Sequence, residues 1–511
     1  MFWGGLRPIR SRLFLDILTL IVLLQAVLVP NIIEESHYHI LLIIFSSLVT
    51  IVSAGLTQRW TISLPMIPVV LMQLSRYIVH VDWILYTSTI KWLSVLLILK
   101  ASLLCILFPA LEISTPKGKY NVGIIDIQLP VSNFDVTHIS ARILYPCNES
   151  SKIRYLQKDV ADNICKQLMC VGAPNALKKM TWMLDQWKLS SIQATRNGSI
   201  VTGTDDERGW PLVVYSHGLF GGAFLYSYQT MNLAANGMVV LAINHSDGSS
   251  IGFQNNDGKF QAYNATISSL DREETFVEYV KERRKQTNYR SNEIIAALDT
   301  FLKLNEENIP ELERKGLSFI GLLNVQDITA AGHSFGGASA LTTVARHPQR
   351  FARCIALDPA VDWMPDTERQ LLLPKDRFQH SDLQYSGGTG GFSQAIAAPM
   401  DQDQKSGSLH DLDLMFLYSH EWILKKWGAS QFVLDMYKRG KLGRFNGVSE
   451  CTYVFNSNHS EFSDSCMKTP LWLARAIGLT GNRNPHETSD EIASRTMMFI
   501  DAAIRRKEKN I

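Results

Sequence analysis

Apolar residues are distributed in two different ways along the 511-residue chain. Four long apolar stretches follow one another first, at residues 13–33, 39–56, 61–79 and 90–111. From about residue 124 onward, short apolar runs alternate with segments whose apolar residues recur at helical spacing. This second pattern predicts an α/β domain with a mostly parallel central sheet and helices on both faces.

Each of the first four stretches is close to the roughly 20 residues that a helix needs to cross a bilayer. A cleaved signal peptide leaves one such stretch rather than four in series. We therefore predict a transmembrane anchor of about four helices at residues 1–112 and a catalytic domain at residues 113–511. Polar residues inside the stretches, such as Asp16 and Arg76, are expected to face other helices or to snorkel.

The basic residues that flank these stretches predict an orientation. They come before the first stretch, between the second and third, and after the fourth: Arg7, Arg10, Arg12, Arg59, Lys117 and Lys119. Because Lys and Arg are enriched on the cytoplasmic side, four spans predict a multi-pass membrane protein whose catalytic domain is cytoplasmic. Three spans would place that domain in a lumen, and the membrane itself is not identified.

The catalytic domain contains eight predicted strands. They lie at 124–129, 139–145, 211–215, 238–244, 328–333, 354–358, 412–418 and 452–455. A mostly helical segment at 159–187 is either a packed cap or a flap facing an acyl chain or a bilayer. The apolar helix at 291–304 is expected to pack on the sheet, and the charged run at 272–285 to be a solvated helical face. Residues 365–410 lack periodicity and predict a loop insertion, with a lid as the alternative.

Composition narrows the class of protein. Apolar residues make up 46% and charged residues 19%, and the formal net charge of +2 favours no nucleic-acid partner. The seven cysteines do not have zinc-site spacing, so we expect no metal. They are interpreted as thiols, with Cys165–Cys170 or Cys451–Cys466 disulfides as the alternative.

The segment Gly332-His-Ser-Phe-Gly336 interrupts a strand-to-helix pattern. Glycines at 332 and 336 leave room for a strained backbone at Ser334, which is the geometry of a nucleophile elbow. The N-terminal N–H groups of the following helix favour a developing anion. Ser334 is therefore the candidate nucleophile.

A glycine-rich turn follows the 211–215 strand, in the segment His217-Gly-Leu-Phe-Gly-Gly222. Alpha/beta-hydrolases place one oxyanion donor in such a turn and the second directly after the nucleophile. The candidate donors are the backbone N–H groups of Leu219 and Phe335.

Two strand ends supply candidate partners for Ser334. Asp358 ends the 354–358 strand, where ligands and catalytic side chains gather in this architecture. His459 follows the last strand and is the candidate general base. The less favoured acids are Asp362 and Asp366, and the competing histidines are His217, His333 and His420. His245 and Asp247 come too early for the order Ser, Asp, His and are interpreted as loop supports.

Four motifs together resemble the platelet-activating factor acetylhydrolase family, the plasma and type II intracellular kind. They are Tyr215-Ser-His-Gly-Leu219, Gly332-His-Ser-Phe-Gly-Gly337, Ala356-Leu-Asp358 and Asn458-His-Ser-Glu-Phe-Ser463. The resemblance covers roughly residues 116–478. It implies an alpha/beta-hydrolase fold and a calcium-independent serine esterase that cleaves the sn-2 acyl ester of phospholipids, with no cofactor. The implied roles are Ser334 as nucleophile, Asp358 as acid, His459 as base, and Leu219 and Phe335 as oxyanion donors.

The expected function is therefore that of a membrane-anchored phospholipid esterase, with phospholipid and the bilayer as its partners. The alternatives are an acyl-protein thioesterase, a general carboxylesterase, and a catalytically dead membrane scaffold. The apolar stretches and the long insertion depart from the secreted member of the family, and the insertion leaves the substrate open.

Overall fold

A nine-stranded sheet lies at the centre of the computed structural model, which describes residues 84–509 except 133, 173–177, 179–180, 204–207, 373–382, 386–392, 396–411, 441 and 443–446. Short apolar runs bounded by turns form most of its strands. The strands of the chain are β1 (Asn121–Pro130), β2 (His138–Cys147), β3 (Lys152–Arg154), β4 (Ser191–Gln193), β5 (Thr195–Arg196), β6 (Trp210–Ser216), β7 (Val239–Ile243), β8 (Gly252–Gln254), β9 (Phe260–Ala262), β10 (Leu323–His333), β11 (Arg353–Leu357), β12 (Leu383–Tyr385), β13 (Ser393–Ala395), β14 (Asp413–Ser419) and β15 (Ser449–Val454).

The strand order is β15-β14-β11-β10-β6-β7-β2-β1-β5. All neighbours from β15 to β7 pair in parallel, whereas β2 is antiparallel to both β7 and β1. Because β6, β10, β11 and β14 run in the same direction, the residues that follow them meet at one edge of the sheet. The prediction of a mostly parallel central sheet is confirmed.

Helices cover both faces of this sheet. The helices of the described residues are α1 (Ile84–Leu107), α2 (Lys158–Gly172), α3 (Asp185–Leu189), α4 (Ser227–Ala235), α5 (Phe276–Lys303), α6 (Pro310–Arg314), α7 (Phe335–Arg346), α8 (Asp366–Leu372), α9 (His420–Lys425), α10 (Ser430–Lys438), α11 (Ser465–Lys468), α12 (Leu471–Ala476) and α13 (Pro485–Lys509). Successive side chains of a strand point to opposite faces. Leu212 and Val214 accordingly pack in one apolar cluster with α5 and α7, whereas Val213 and Tyr215 pack in another with α4 and α13.

The charged N-terminal half of α5 differs from the prediction of a solvated helical face. The charged run and the apolar segment after it form one continuous helix, and Arg283 and Arg284 inside the run are buried. The insertion at 365–410 contains α8, β12 and β13, and its other predicted loop residues lie largely outside the described residues. Cys170, Cys451 and Cys466 are free thiols, so both alternative disulfides are wrong.

The predicted transmembrane bundle is wrong for the described residues. Among the described residues from 84 onward, no helix combines the length and the apolar character needed to cross a membrane. The same finding contradicts the prediction of a multi-pass membrane protein with a cytoplasmic catalytic domain. The stretches at 13–33, 39–56 and 61–79 lie outside the described residues.

The end of the fourth predicted span belongs to the domain instead. Leu111 is fully buried, and its carbonyl accepts a hydrogen bond from Lys468 Nζ at 2.9 Å. The carbonyl of Leu107 accepts one from Trp472 Nε1 at 3.0 Å, and Phe108 packs edge-on against the same indole. Residues 107–111 therefore dock on α11 and α12.

Candidate active site

Ser334 stands between β10 and α7 on a strained backbone. Its φ of 57° lies in the left-handed region, which side-chain-bearing residues rarely adopt. A Cβ at Gly332 would come within 2.3 Å of the Gly336 carbonyl oxygen, and one at Gly336 within 2.0 Å of that of Ser216. Only glycine fits at both positions, so the close packing around the elbow explains the Gly-His-Ser-Phe-Gly pattern.

The three predicted side chains form one chain of hydrogen bonds. The Oγ of Ser334 lies 3.0 Å from His459 Nε2, and His459 Nδ1 lies 2.9 Å from Asp358 Oδ2. Asp358 is fully buried, whereas the His459 side chain is 17% exposed. An Nδ1–H that donates to Asp358 leaves the Nε2 lone pair facing the serine hydroxyl, which is the tautomer that a general base requires.

The surroundings of this relay control its charge. Burial raises the pKa of Asp358, and the hydrogen bond from His459 opposes that shift. The other carboxylate oxygen of Asp358 accepts the backbone N–H of Ser419 at 2.6 Å, which fixes the orientation of the carboxylate. The imidazole of His459 lies between the rings of Trp422 and His333, with centroids 4.1 and 4.4 Å away. Burial lowers the pKa of His333 well below its ordinary value, so this neighbour adds no positive charge.

The loop that carries His459 is bound at both ends. The backbone N–H of His459 donates to Glu421 on α9 at 2.9 Å. Asp464, five residues later, accepts the backbone N–H groups of Ser227 and Tyr228 at 2.8 and 3.1 Å and so joins the loop to the first turn of α4. The segment that carries the imidazole is therefore held by hydrogen bonds to two helices, α9 and α4.

The glycine-rich turn after β6 lies directly against the nucleophile. A Cβ at Gly218 would be 3.3 Å from the Cβ of Ser334. The N–H groups of Gly218, Phe220 and Gly221 donate to Tyr226 Oη, the Ser249 carbonyl and the Gly218 carbonyl. Among the described residues, the N–H of Leu219 has no such acceptor. The N–H of Phe335 is the first of α7 and has no partner inside that helix.

One group of potential metal ligands occurs among the described residues. His333, Asp358 and His459 each offer a ligand atom, and these atoms lie within 4.8 Å of one another. Both ring nitrogens of His459 are engaged by Ser334 and Asp358, so the relay already accounts for this cluster. The absence of a metal from the reaction stays a prediction.

The less favoured candidates lie elsewhere. Asp366 binds Arg284 and Arg369, and Asp362 lies in the short helical turn Val361–Trp363. His217 Nδ1 contacts the Gly218 carbonyl, and His420 Nδ1 accepts the backbone N–H of Asn456. His245 and Asp247 take part in a separate buried network.

That network contains residues that the sequence reasoning missed, namely Arg290 and Glu293 on α5. His245 bridges Ser216 and Glu293, and Arg290 binds Asp247. A signal for such residues exists in the sequence. The buried apolar positions 294, 297, 298 and 301 of α5 continue backward at helical spacing to 290, 287 and 283, which are also buried.

Comparison with protein families gives one match. The family model described as platelet-activating factor acetylhydrolase, isoform II, matches residues 105–375, just over half of the chain. The chain is 26% identical over 294 residues to the platelet-activating factor acetylhydrolase of Cavia porcellus, covering 55% of this chain and 62% of that protein. It is 28% identical over 258 residues to the protein of the same name from Canis lupus familiaris, and this match covers 48% of this chain and 54% of that protein.

The matches span less than two thirds of these relatives. The protein of the same name from Gallus gallus is 29% identical over 304 residues, covering 57% of this chain and 61% of its own length. Among solved structures, a ferulic acid esterase from Streptomyces cinnamoneus aligns with 77% of this chain and 92% of its own, with a TM-score of 0.45 and 14% identity.

Proposed function

Because the chain belongs to the platelet-activating factor acetylhydrolase, isoform II, family, we propose that it is a calcium-independent serine esterase that cleaves the sn-2 acyl ester of phospholipids. The observation that carries the proposal is the continuous relay from Ser334 through His459 to Asp358 at a strained elbow. The relatives' names contribute the substrate class.

The proposed reaction is a two-step acyl transfer. His459 Nε2 takes the proton of Ser334 Oγ as this oxygen attacks the ester carbonyl. The N–H groups of Leu219 and Phe335 bind the oxygen on which negative charge develops, and each such donor is worth about 3 kcal/mol in the transition state. His459 then protonates the departing lysophospholipid, and water hydrolyses the acyl-enzyme by the same route in reverse.

Asp358 has two roles in this scheme. It keeps the proton of the neutral imidazole on Nδ1, and it stabilises the imidazolium that forms when His459 takes the serine proton. The activated serine supplies the nucleophile, so the scheme uses neither a metal ion nor a cofactor.

The bilayer is proposed as the place where this enzyme meets its substrate, because phospholipids are present there rather than free in water. The rate on an acetyl-phospholipid should therefore depend on vesicle concentration. A rate that follows only the dissolved monomer would contradict this part of the proposal.

The test is a substrate panel on the purified full chain, with calcium and with a chelator. We expect a phosphatidylcholine with an sn-2 acetyl group to react faster than a long-chain phosphatidylcholine or a palmitoyl thioester, and at the same rate without calcium. Ser334→Ala should reduce the rate by about 10³-fold or more. The control is Ser190→Ala, which removes another fully buried serine, one that donates to the Gln186 carbonyl.

Each alternative gives its own result in this panel. A preference for the palmitoyl thioester would favour the acyl-protein thioesterase, and similar rates on all three substrates would favour a general carboxylesterase. No turnover and no reaction with a fluorophosphonate would favour the catalytically dead protein. Loss of activity with the chelator would contradict calcium independence.

A further inference from the structure

Beneath the two candidate oxyanion donors lies a buried arginine from α5. Arg290 is fully buried, and α5 packs against α7, the helix that begins at Phe335. Burying a guanidinium is costly unless every part of it finds a partner. The partners of Arg290 therefore indicate what this position does.

One end of the guanidinium binds the oxyanion turn. Nη1 of Arg290 donates to the carbonyl of His217 at 2.6 Å, two residues before Leu219. Nη2 donates to Ser249 Oγ at 2.5 Å, and the carbonyl of Ser249 accepts the N–H of Phe220 at 2.9 Å. Leu219 thus lies between two residues that are both fixed through Arg290, one directly and one through Ser249.

The face of the same guanidinium contacts the second donor residue. Its central carbon lies 4.1 Å from the ring centroid of Phe335, within the range of a cation–π contact. Nε donates to Asp247 Oδ2 at 3.1 Å, and that ion pair fixes the plane of the guanidinium. Arg290 therefore contacts both segments that carry the candidate oxyanion donors.

We propose that Arg290 is the positioning residue that holds the Leu219 and Phe335 N–H groups at the spacing the oxyanion requires. This inference rests on the proposed esterase function. Lysine at this position keeps the charge but lacks the planar fork, so it cannot satisfy the carbonyl, the hydroxyl, the carboxylate and the ring together. Misplacement by about 1 Å at an active site costs on the order of 100-fold in rate.

The test compares Arg290→Lys with Arg353→Met, a change to another buried arginine. Arg353 binds both carboxylate oxygens of Asp327 and begins β11, whereas Asp358 follows the other end of that strand, about 15 Å away. The readouts are kcat and KM for p-nitrophenyl acetate, and the inhibition constant of a trifluoromethyl ketone. The adduct of this ketone with serine carries an oxyanion that the two candidate donors would bind.

We expect Arg290→Lys to lower kcat by about 10- to 100-fold with little change in KM. The inhibition constant of the ketone should rise by a similar factor. Arg353→Met should lower the melting temperature but leave kcat and ketone inhibition near those of the wild type. Ser249→Ala removes the link between Arg290 and Phe220 while keeping the arginine, and should shift both readouts in the same direction.

The inference is overturned if folded Arg290→Lys retains the wild-type kcat and ketone affinity, or if both arginine variants lose them alike. Should Arg290→Lys not fold, unchanged readouts in Ser249→Ala overturn it as well. Labelling of the wild type by a fluorophosphonate separates the two proposals. No labelling refutes the esterase itself, whereas labelling with unaffected variants refutes only the role of Arg290.

Discussion

Two hydrogen-bonded chains, each made of a serine, a histidine and an acidic side chain, lie near each other at the C-terminal edge of the parallel strands. In the first, Ser334, His459 and Asp358 are joined at 3.0 and 2.9 Å. In the second, Ser216 Oγ lies 2.7 Å from His245 Nε2, and His245 Nδ1 lies 2.5 Å from Glu293. By distance alone, the second chain is the tighter of the two.

The two hydrogen-bonded chains differ in solvent exposure and in the backbone conformation at the serine. Ser216, His245 and Glu293 are all fully buried, whereas the His459 side chain is partly exposed. Ser216 is the last residue of β6, within the sheet, but Ser334 projects from a left-handed turn between a strand and a helix. The first chain therefore reaches the surface at its histidine, whereas the second is buried along its whole length.

The two hydrogen-bonded chains also differ in which atoms carry the protons. Burial raises the pKa of Glu293 to about 8 and lowers the pKa of His245 well below its ordinary value. A protonated carboxyl donates to Nδ1, which leaves the proton of a neutral His245 on Nε2, where it is donated to Ser216. A histidine that donates to a serine cannot act as its base. Residue types and hydrogen bonds are thus not sufficient to make a nucleophile.

The largest expected effect comes from exchanging the two serines for alanine. Ser334→Ala should abolish labelling by a fluorophosphonate, because the attacking oxygen is removed. Ser216→Ala should still be labelled at a rate close to that of the wild type, provided that circular dichroism indicates a folded protein. Persistent labelling of Ser334→Ala, or its loss in folded Ser216→Ala, would reverse the assignment of the two chains.

The next effect comes from the two acids. Asp358→Asn should lower kcat for p-nitrophenyl acetate by about 10⁴-fold, because an amide favours the wrong tautomer of His459. Glu293→Gln keeps a donor toward His245 Nδ1 and should leave kcat near that of the wild type. Steady-state rates of the two variants, measured side by side, decide the matter. Comparable losses would mean that the second chain also serves catalysis.

The smallest effect concerns stability and pH. The pKa of Glu293 is raised from 4.5 to about 8 in the folded protein, so between these values the folded state binds more protons at this site than the unfolded state. Its contribution to the free energy of unfolding is therefore fully present below about pH 4.5 and is lost as the pH rises through about 8. Glu293→Gln should remove a decline of a few kcal/mol over this range. Urea denaturation at several pH values measures the free energy of unfolding. The same pH dependence of this free energy in the wild type and in Glu293→Gln would contradict the prediction.

The catalytic candidates were predictable because they obey local rules. A glycine–serine–glycine elbow, a strand that ends in aspartate and a histidine after the last strand can each be recognised within a few residues. The strand positions follow from short apolar runs for the same reason. Arg290 and Glu293 belong to no such motif. Helical spacing marks the buried face of α5 on which they lie, but their partners come from the packing of that face against the sheet.

Local patterning and the permissive backbone of glycine were sufficient to predict the strands, the order Ser334, Asp358, His459 along the chain, and the elbow at Ser334. Three-dimensional packing was needed to show that residues 107–111 dock on the domain and that the Ser216 chain is sealed from solvent. Packing also brings one arginine into contact with both segments that carry the candidate oxyanion donors. Those features arise from contacts between segments far apart along the chain, whose burial and spacing no local pattern encodes.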